Sequence, residues 1–305
     1  MRKKSKGKRG GMIRFSREQG YNMGLDYCDT SIYTVKAPRA ARRKLGKPSR
    51  PCQENLNERN AKLRFKRIIE ANMTEGKDVC VLLTFDETHR PETRAEAKKH
   101  MVNFIRRLRR AWETMELPCK PCGLYVIEGG DGKRIHIHAV MRGGMPASEL
   151  KELWGMAGIV NVDILQPNRN GLEALSRYLE KQGKLSDGEH RWYRFGELVE
   201  PDVEEMNGKM PLDEVAELGR YIQDEMEAGA DTIPTSERYA PIESRYSGYF
   251  CSEAEAKYLE QFGEWVVHIK LYRKDTPIGV QEQKRRRLEE REIARRKAEA
   301  AWLGL

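Results

Sequence analysis

The chain has no long hydrophobic run. Across 305 residues nothing apolar approaches the ~18 consecutive residues that a membrane span needs. The basic opening, Met1-Arg2-Lys3-Lys4, lacks the apolar core of a secretory signal. A membrane or exported protein is therefore not expected, and a cytoplasmic one is. No Gly-x-x-x-x-Gly-Lys-Ser/Thr occurs, which excludes a P-loop motor within the chain. Internal repeats are missing too. Cysteine is scarce, at six residues with irregular spacing, which suits a reducing compartment better than a disulfide framework. Cys119-Lys120-Pro121-Cys122 has the form of half a zinc knuckle, but no second pair stands at ligand spacing. A loop with two free thiols is expected there.

Charge is abundant and unevenly spread. Overall 56 Lys+Arg face 47 Asp+Glu, a net of +9. Residues 1–75 hold 20 basic and 7 acidic side chains, whereas 186–231 hold 4 and 14. This asymmetry predicts a basic, nucleic-acid-facing arm and an acidic region turned away from phosphate. Residues 1–60, rich in Gly, Pro, Lys and Arg with little periodicity, read as a largely flexible arm. A central domain over 61–200, an acidic accessory region with late strands over 201–280 and a charged helix over 281–305 complete the expected organisation.

Within the central domain, periodicity predicts a helix from Leu56 to Met73 and a buried strand from Val79 to Phe85. Thr93-Arg94-Ala95-Glu96 is a capping box opening a long helix to about Glu116. Its apolar stripe runs Ala97, Met101, Phe104, Ile105, Leu108, Ala111, Trp112, Met115. Its other surface carries Lys98, Lys99, Arg106, Arg107, Arg109 and Arg110, a solvated back or a phosphate track. A short helix from Ser148 to Trp154 and a strand around Ile159 to Leu165 follow. Further on, Pro211 to Gly229 reads as a helix, and Glu264 to Tyr272 alternates like a strand. The order suits an α+β fold, an antiparallel sheet of about five strands with helices packed on it.

Only six histidines are present, and two fall in Arg134-Ile135-His136-Ile137-His138-Ala139-Val140. Alternation makes this a strand with both imidazoles on one face. Leu124-Tyr125-Val126-Ile127-Glu128 precedes it across a glycine-rich joint, a hairpin signal. With Asp131, Gly132 and Lys133 as the turn, Gly130 faces Arg134, Glu128 faces His136 and Val126 faces His138. Directly opposed Cβ atoms lie ~5 Å apart, so Glu128, His136 and His138 can close on one divalent ion. A register slipped by one residue sends the carboxylate to the wrong face.

Asn170 is a candidate N-cap for a helix in which Leu172, Leu175 and Leu179 form the apolar stripe. Tyr178 and Lys181, three apart, then share its flank. His190-Arg191-Trp192-Tyr193-Arg194-Phe195 interleaves basic and aromatic residues, as an edge strand or a stacking platform for bases does. Arg191, Trp192 and Arg194, with Arg134, Arg106 and Arg110, are the candidate DNA contacts.

Together these motifs resemble the HUH endonuclease superfamily, and within it the single-tyrosine rolling-circle replication initiators. Val81-Leu82-Leu83-Thr84-Phe85 matches the first motif, Glu128 with His136 and His138 the second, and Tyr178-x-x-Lys181 the third. The likeness covers roughly 78–195. It implies an HUH/RRM-like sheet with metal ligands on central strands and the tyrosine on a nearby helix. It also implies Mn²⁺ or Mg²⁺ at Glu128, His136 and His138. Tyr178 is then the nucleophile that forms a 5′-phosphotyrosine and frees a 3′-hydroxyl, with Lys181 neutralising charge at the phosphate. Implied partners are single-stranded DNA at an origin hairpin and the helicase and polymerase of a prokaryotic host cell, serving a phage or plasmid.

Tyr178 to Gln182 also fits the Tyr-x-x-x-Gln spacing of single-tyrosine transposases, making Gln182 a rival third ligand. Conjugative relaxases place the tyrosine before the histidines, the reverse of this order. Two other classes stay open. One is an Fe(II) oxygenase built on two histidines and a carboxylate. The other is a non-catalytic nucleic-acid binder with an RRM-like sheet, whose histidines and tyrosine stack or pack.

Overall fold

The computed structural model describes residues 14–36, 51–74, 76–130, 132–166, 190–226, 232–260 and 262–303. In chain order these form β1 (Arg14–Tyr21), β2 (Tyr27–Lys36), α1 (Pro51–Asn72), β3 (Val79–Phe85), α2 (Arg94–Thr114), β4 (Gly123–Gly130) and β5 (Lys133–Met141). Then come α3 (Ala147–Trp154), β6 (Ala157–Ile164), β7 (Tyr193–Phe195), β8 (Val203–Asn207), α4 (Leu212–Arg220), β9 (Tyr249–Leu259), β10 (Glu264–Arg273) and a last long helix, Pro277–Leu303. The architecture is α+β. Instead of one sheet of about five strands there are two antiparallel sheets of five, ordered β6-β3-β5-β4-β7 and β8-β1-β2-β10-β9. The chain divides into two compact units, one from Ser49 to Asp202 with Gly24–Cys28, the other comprising the described residues of Met1–Met23, Asp29–Pro48 and Val203–Leu305.

In the Ser49–Asp202 unit, strand alternation sorts the side chains cleanly. Val81, Leu83, Tyr125, Ile127, Ile135, Ile137 and Ala139 form one face, buried beneath the α2 stripe of Ala97, Met101, Phe104, Ile105, Leu108 and Trp112 and beneath Leu150 and Trp154 of α3. Thr93 caps α2 by accepting the Glu96 N–H at 3.2 Å. The return arm of the capping box is shifted: Glu96 accepts from the Glu92 N–H instead. Arg107, one of the six cations on α2, donates to the carbonyls of Leu153 and Trp154 and so satisfies the end of α3.

The opposite face carries Leu124, Val126 and Val140, covered by Phe65, Ile68, Ile69 and Met73 of α1. That cover sits over the Leu124 end of β4. Glu128 and the histidines lie further along the same face. Trp154, fully buried, donates its indole N–H to the Thr84 carbonyl at 2.6 Å and meets the rings of Phe85 and Phe104. Trp154→Ala is expected to cost roughly 3–5 kcal/mol, read as a lowered urea midpoint at unchanged m-value.

In the other unit, β1 and β2 pair over their full length, Arg14↔Lys36 through Tyr21↔Asp29. The flexible arm expected over 1–60 therefore does not extend through residues 14–36. The reason it misled is chemical: the buried positions of β1 are Ser16, Glu18 and Gly20, which carry no apolar signal. Glu18 is held there by the Tyr246 hydroxyl at 2.7 Å, with Arg245 3.8 Å away. Helix α4 approaches β10 closely through Gly219, where a Cβ would come within 2.5 Å of the Trp265 indole.

The predicted helix at 211–229 is α4 followed by a π-turn, Tyr221–Glu225. Residues 227–231 lie outside the described set. The last helix packs along a stripe that includes Arg286, which is buried, paired with Glu243 and Glu282, and 4.3 Å from the Phe250 ring. Among the described residues no helix is long and apolar enough to cross a membrane.

Candidate metal and DNA site

Two neighbouring strands place the site. Glu128 pairs with His136 and Val126 with His138 across the β4–β5 hairpin, the register the sequence predicts. The turn differs. Gly130 pairs with Lys133, not Arg134, because the ladder slips by one residue at Gly129. Gly129 has φ +96°, and a Cβ there would stand 2.3 Å from the Arg134 carbonyl oxygen. Only glycine accepts this bulge. Arg94 of α2 donates to the Gly129 carbonyl at 3.3 Å and ties the bulge down. Gly129 and Arg94 were not among the residues singled out from sequence; the Gly129-Gly130 pair was the one available signal. Gly129→Val is expected to lower stability by ~1–3 kcal/mol and to weaken Mn²⁺ binding, both measurable by calorimetry.

The bulge leaves Glu128 on the histidine face. Its Oε2 lies 3.2 Å from His136 Nε2 and 3.1 Å from His138 Nε2. The two rings stand 5.0 Å apart at 76°. One ligand atom from each of the three residues falls within 4.8 Å of the others. Ligands bound octahedrally at ~2.1 Å stand about 3 Å apart when cis, so the spacing suits one small divalent ion. His136 Nδ1 lies 3.2 Å from the Arg134 carbonyl. In the tautomer that donates Nδ1–H to that carbonyl, Nε2 turns a lone pair toward the carboxylate. This outer contact is the one that orients metal-binding imidazoles. A lone pair facing a carboxylate oxygen at this distance is repulsive unless a proton or a cation lies between them. The residues fit a divalent ion.

A shallow recess adjoins His138, lined by Phe65 of α1, Cys80 and Leu82 of β3, Val126 of β4, and Asn161 and Asp163 of β6. Burial and the Asp163 charge push the Cys80 thiol up to about 11. It stays protonated at neutral pH and offers no thiolate. The donor set is therefore nitrogen and hard oxygen, which suits Mn²⁺ and Mg²⁺. The described cysteines, Cys119 and Cys122 among them, are free thiols.

The remaining candidates are placed as follows. Tyr178, Lys181 and Gln182 lie outside the described residues, as does the whole predicted helix from Asn170. Arg134 is exposed and pairs with Glu87. Trp192 donates to the Ala61 carbonyl at 3.1 Å and packs against Phe65, so its indole secures α1 instead of standing free for a base. Arg194 lies opposite Leu124 in the short edge strand β7 and binds Glu200 at 2.6 Å. Arg64 shares that carboxylate at 3.0 Å, and the two guanidinium groups hold the Glu200 carboxyl below its usual range. Arg191 is half-buried. Arg106 and Arg110 stand on the exposed back of α2, across the sheet from the histidines.

An antiparallel sheet that presents a carboxylate and two imidazoles from adjacent central strands defines a mixed carboxylate–histidine cation site. Residues 78–183 match the family model of the replication-associated proteins of ORF2 type. The matched segment begins one residue before β3, contains all three clustered residues and runs past Tyr178 and Lys181. The similarity supports a role in replication and contact with nucleic acid. No curated protein and no solved structure matches the chain.

Proposed function

We propose that this protein is a replication initiator that nicks and rejoins single-stranded DNA through an HUH-type transesterification. One observation carries the reading: Glu128, His136 and His138 converge within a segment similar to replication-associated proteins, and that segment also contains Tyr178-Leu-Glu-Lys181. Bound at the three residues, Mn²⁺ or Mg²⁺ supplies Lewis-acid polarisation of the scissile phosphate.

A phenol with its usual pKa near 10 is a weak nucleophile until its proton is removed. Tyr178 loses that proton to solvent as its oxygen bonds to phosphorus and the P–O3′ bond breaks. The departing 3′ oxygen takes up a proton from water. The products are a 5′-phosphotyrosine and a 3′-hydroxyl that primes rolling-circle synthesis, and attack by another 3′-hydroxyl reseals the strand. Lys181 neutralises charge gathering on the phosphate. Arg134, Arg191 and Arg194 hold the neighbouring backbone, with the strand presented at an origin hairpin. A chain without a P-loop relies on a host helicase to unwind and on a host polymerase to extend.

The test is incubation of the full chain with random single-stranded oligonucleotides. A denaturant-stable protein–DNA adduct that forms with Mn²⁺ and is absent with EDTA supports the reading. Binding without any adduct in Mn²⁺ or Mg²⁺ contradicts it and favours a non-catalytic binder.

A further inference from the structure

Helix α2 carries a line of cations that nothing among the described residues neutralises. Of the six basic residues on it, Arg107 is engaged with the end of α3, and Lys98 lies over the Tyr193 ring at 4.5 Å. The other four, Lys99, Arg106, Arg109 and Arg110, are exposed. No carboxylate pairs with any of them among the described residues; the one side-chain bond from this set is Arg106 to Asn103 at 3.4 Å. The last helix is just as rich in charge but answers it internally, through Arg285–Glu282, Arg295–Glu299 and Arg296–Glu292. The two helices therefore differ in kind. One is a solvated, self-neutralised surface, and the other is an open row of positive charge.

The row is straight. At 100° per residue, Lys99, Asn103, Arg106 and Arg110 fall within an arc of about 60° and extend over ~16 Å of helix. Its side of the sheet is fixed by packing. The buried stripe of α2 rests on Tyr125, Ile127, Ile135 and Ile137, and these alternate with Glu128, His136 and His138 along the same two strands. The cations consequently face away from the histidine face, on the far side of the sheet. DNA lying on them is not the strand held at Glu128.

The exposed back of α2 also lacks any aromatic side chain, since Phe104 and Trp112 point into the core. Single-strand binding tracks pair cations with aromatic platforms for unstacked bases. A cationic row without aromatics reads phosphates alone, as suits a duplex whose bases are hidden. We infer that the back of α2 is a sequence-independent docking track for double-stranded DNA, separate from the site that holds the cleaved strand. The inference rests on the proposed function only for the identity of the cleaved strand.

The test avoids cleavage chemistry altogether. Full-length protein is titrated with a blunt fluorescent duplex in EDTA at several KCl concentrations, and Kd is followed by anisotropy. Each phosphate contact contributes about −0.9 to the slope of log K against log salt. Lys99→Gln/Arg106→Gln/Arg110→Gln is expected to lower the steepness by about 2.7. Arg106→Lys/Arg110→Lys keeps the wild-type slope, and Arg295→Gln/Arg296→Gln on the last helix changes nothing. If the triple variant folds poorly, Lys99→Gln alone is expected to lower the slope by about 0.9. An unchanged slope in these neutralised variants overturns the inference, and so does an equal loss on single-stranded DNA of the same length. A failed nicking assay bears on the proposed function and leaves this result standing.

Discussion

Tyr178→Phe is expected to lose the covalent DNA adduct entirely and to slow nicking by roughly 10⁴-fold or more, with Mn²⁺ affinity unchanged within about twofold. The substitution removes one oxygen and keeps the ring, so packing by the phenyl group survives. The choice of this residue follows from elimination as well as from motif. The segment similar to replication-associated proteins contains two tyrosines, Tyr125 and Tyr178. Tyr125 is buried on the α2 face, stacked on Tyr193 at 5.1 Å. Burial, with Tyr193 beside it, pushes its phenol above the ordinary tyrosine value. It has neither the exposure nor the acidity for attack on a phosphate. Gel analysis of adducts formed on labelled single strands, with calorimetric Mn²⁺ titration in parallel, measures both halves of the prediction. A persistent adduct removes Tyr178 from the role.

The second large effect is expected at the cation site. Removing a single imidazole, by His138→Ala, is expected to weaken Mn²⁺ binding by roughly 100-fold or more and to slow nicking by about 10²–10⁴-fold, the scale of lost Lewis-acid stabilisation. Glu128→Gln keeps the shape and removes the charge, so it separates ligation from packing. Electron paramagnetic resonance of bound Mn²⁺ reads the site without requiring turnover. It also distinguishes Glu128 from its rival: if Gln182 is the third ligand, Gln182→Ala changes the Mn²⁺ spectrum and Glu128→Gln leaves it alone. The contact distances at Glu128, 3.1 and 3.2 Å to the two Nε2 atoms, support Glu128.

Where the pattern of side chains and the physics of one element agree, the sequence was sufficient. Val79–Phe85 alternates and is β3; Thr93 caps α2; Glu128 faces His136. These features depend on neighbours a few residues away. The errors come where distant residues decide. Strand β1 buries Glu18 because Tyr246, 228 positions away, supplies its hydrogen bond, and no local pattern contains that fact. The slip at Gly129 arises from a positive φ beside the Arg134 carbonyl, which glycine permits without demanding. Among the six cations of α2, Arg107 looks like its neighbours in sequence. Only the fold shows that the end of α3 lies beneath it. Trp192 reads as a stacking platform until the Ala61 carbonyl is seen to hold its indole.

The most direct measurement is peptide mapping of the trapped adduct by mass spectrometry after nuclease and protease digestion. The account predicts a nucleotide joined through its 5′ phosphate to the peptide bearing Tyr178, formed in Mn²⁺ and abolished by His138→Ala. A nucleotide on any other side chain, a 3′ linkage, or the same yield in EDTA would contradict it.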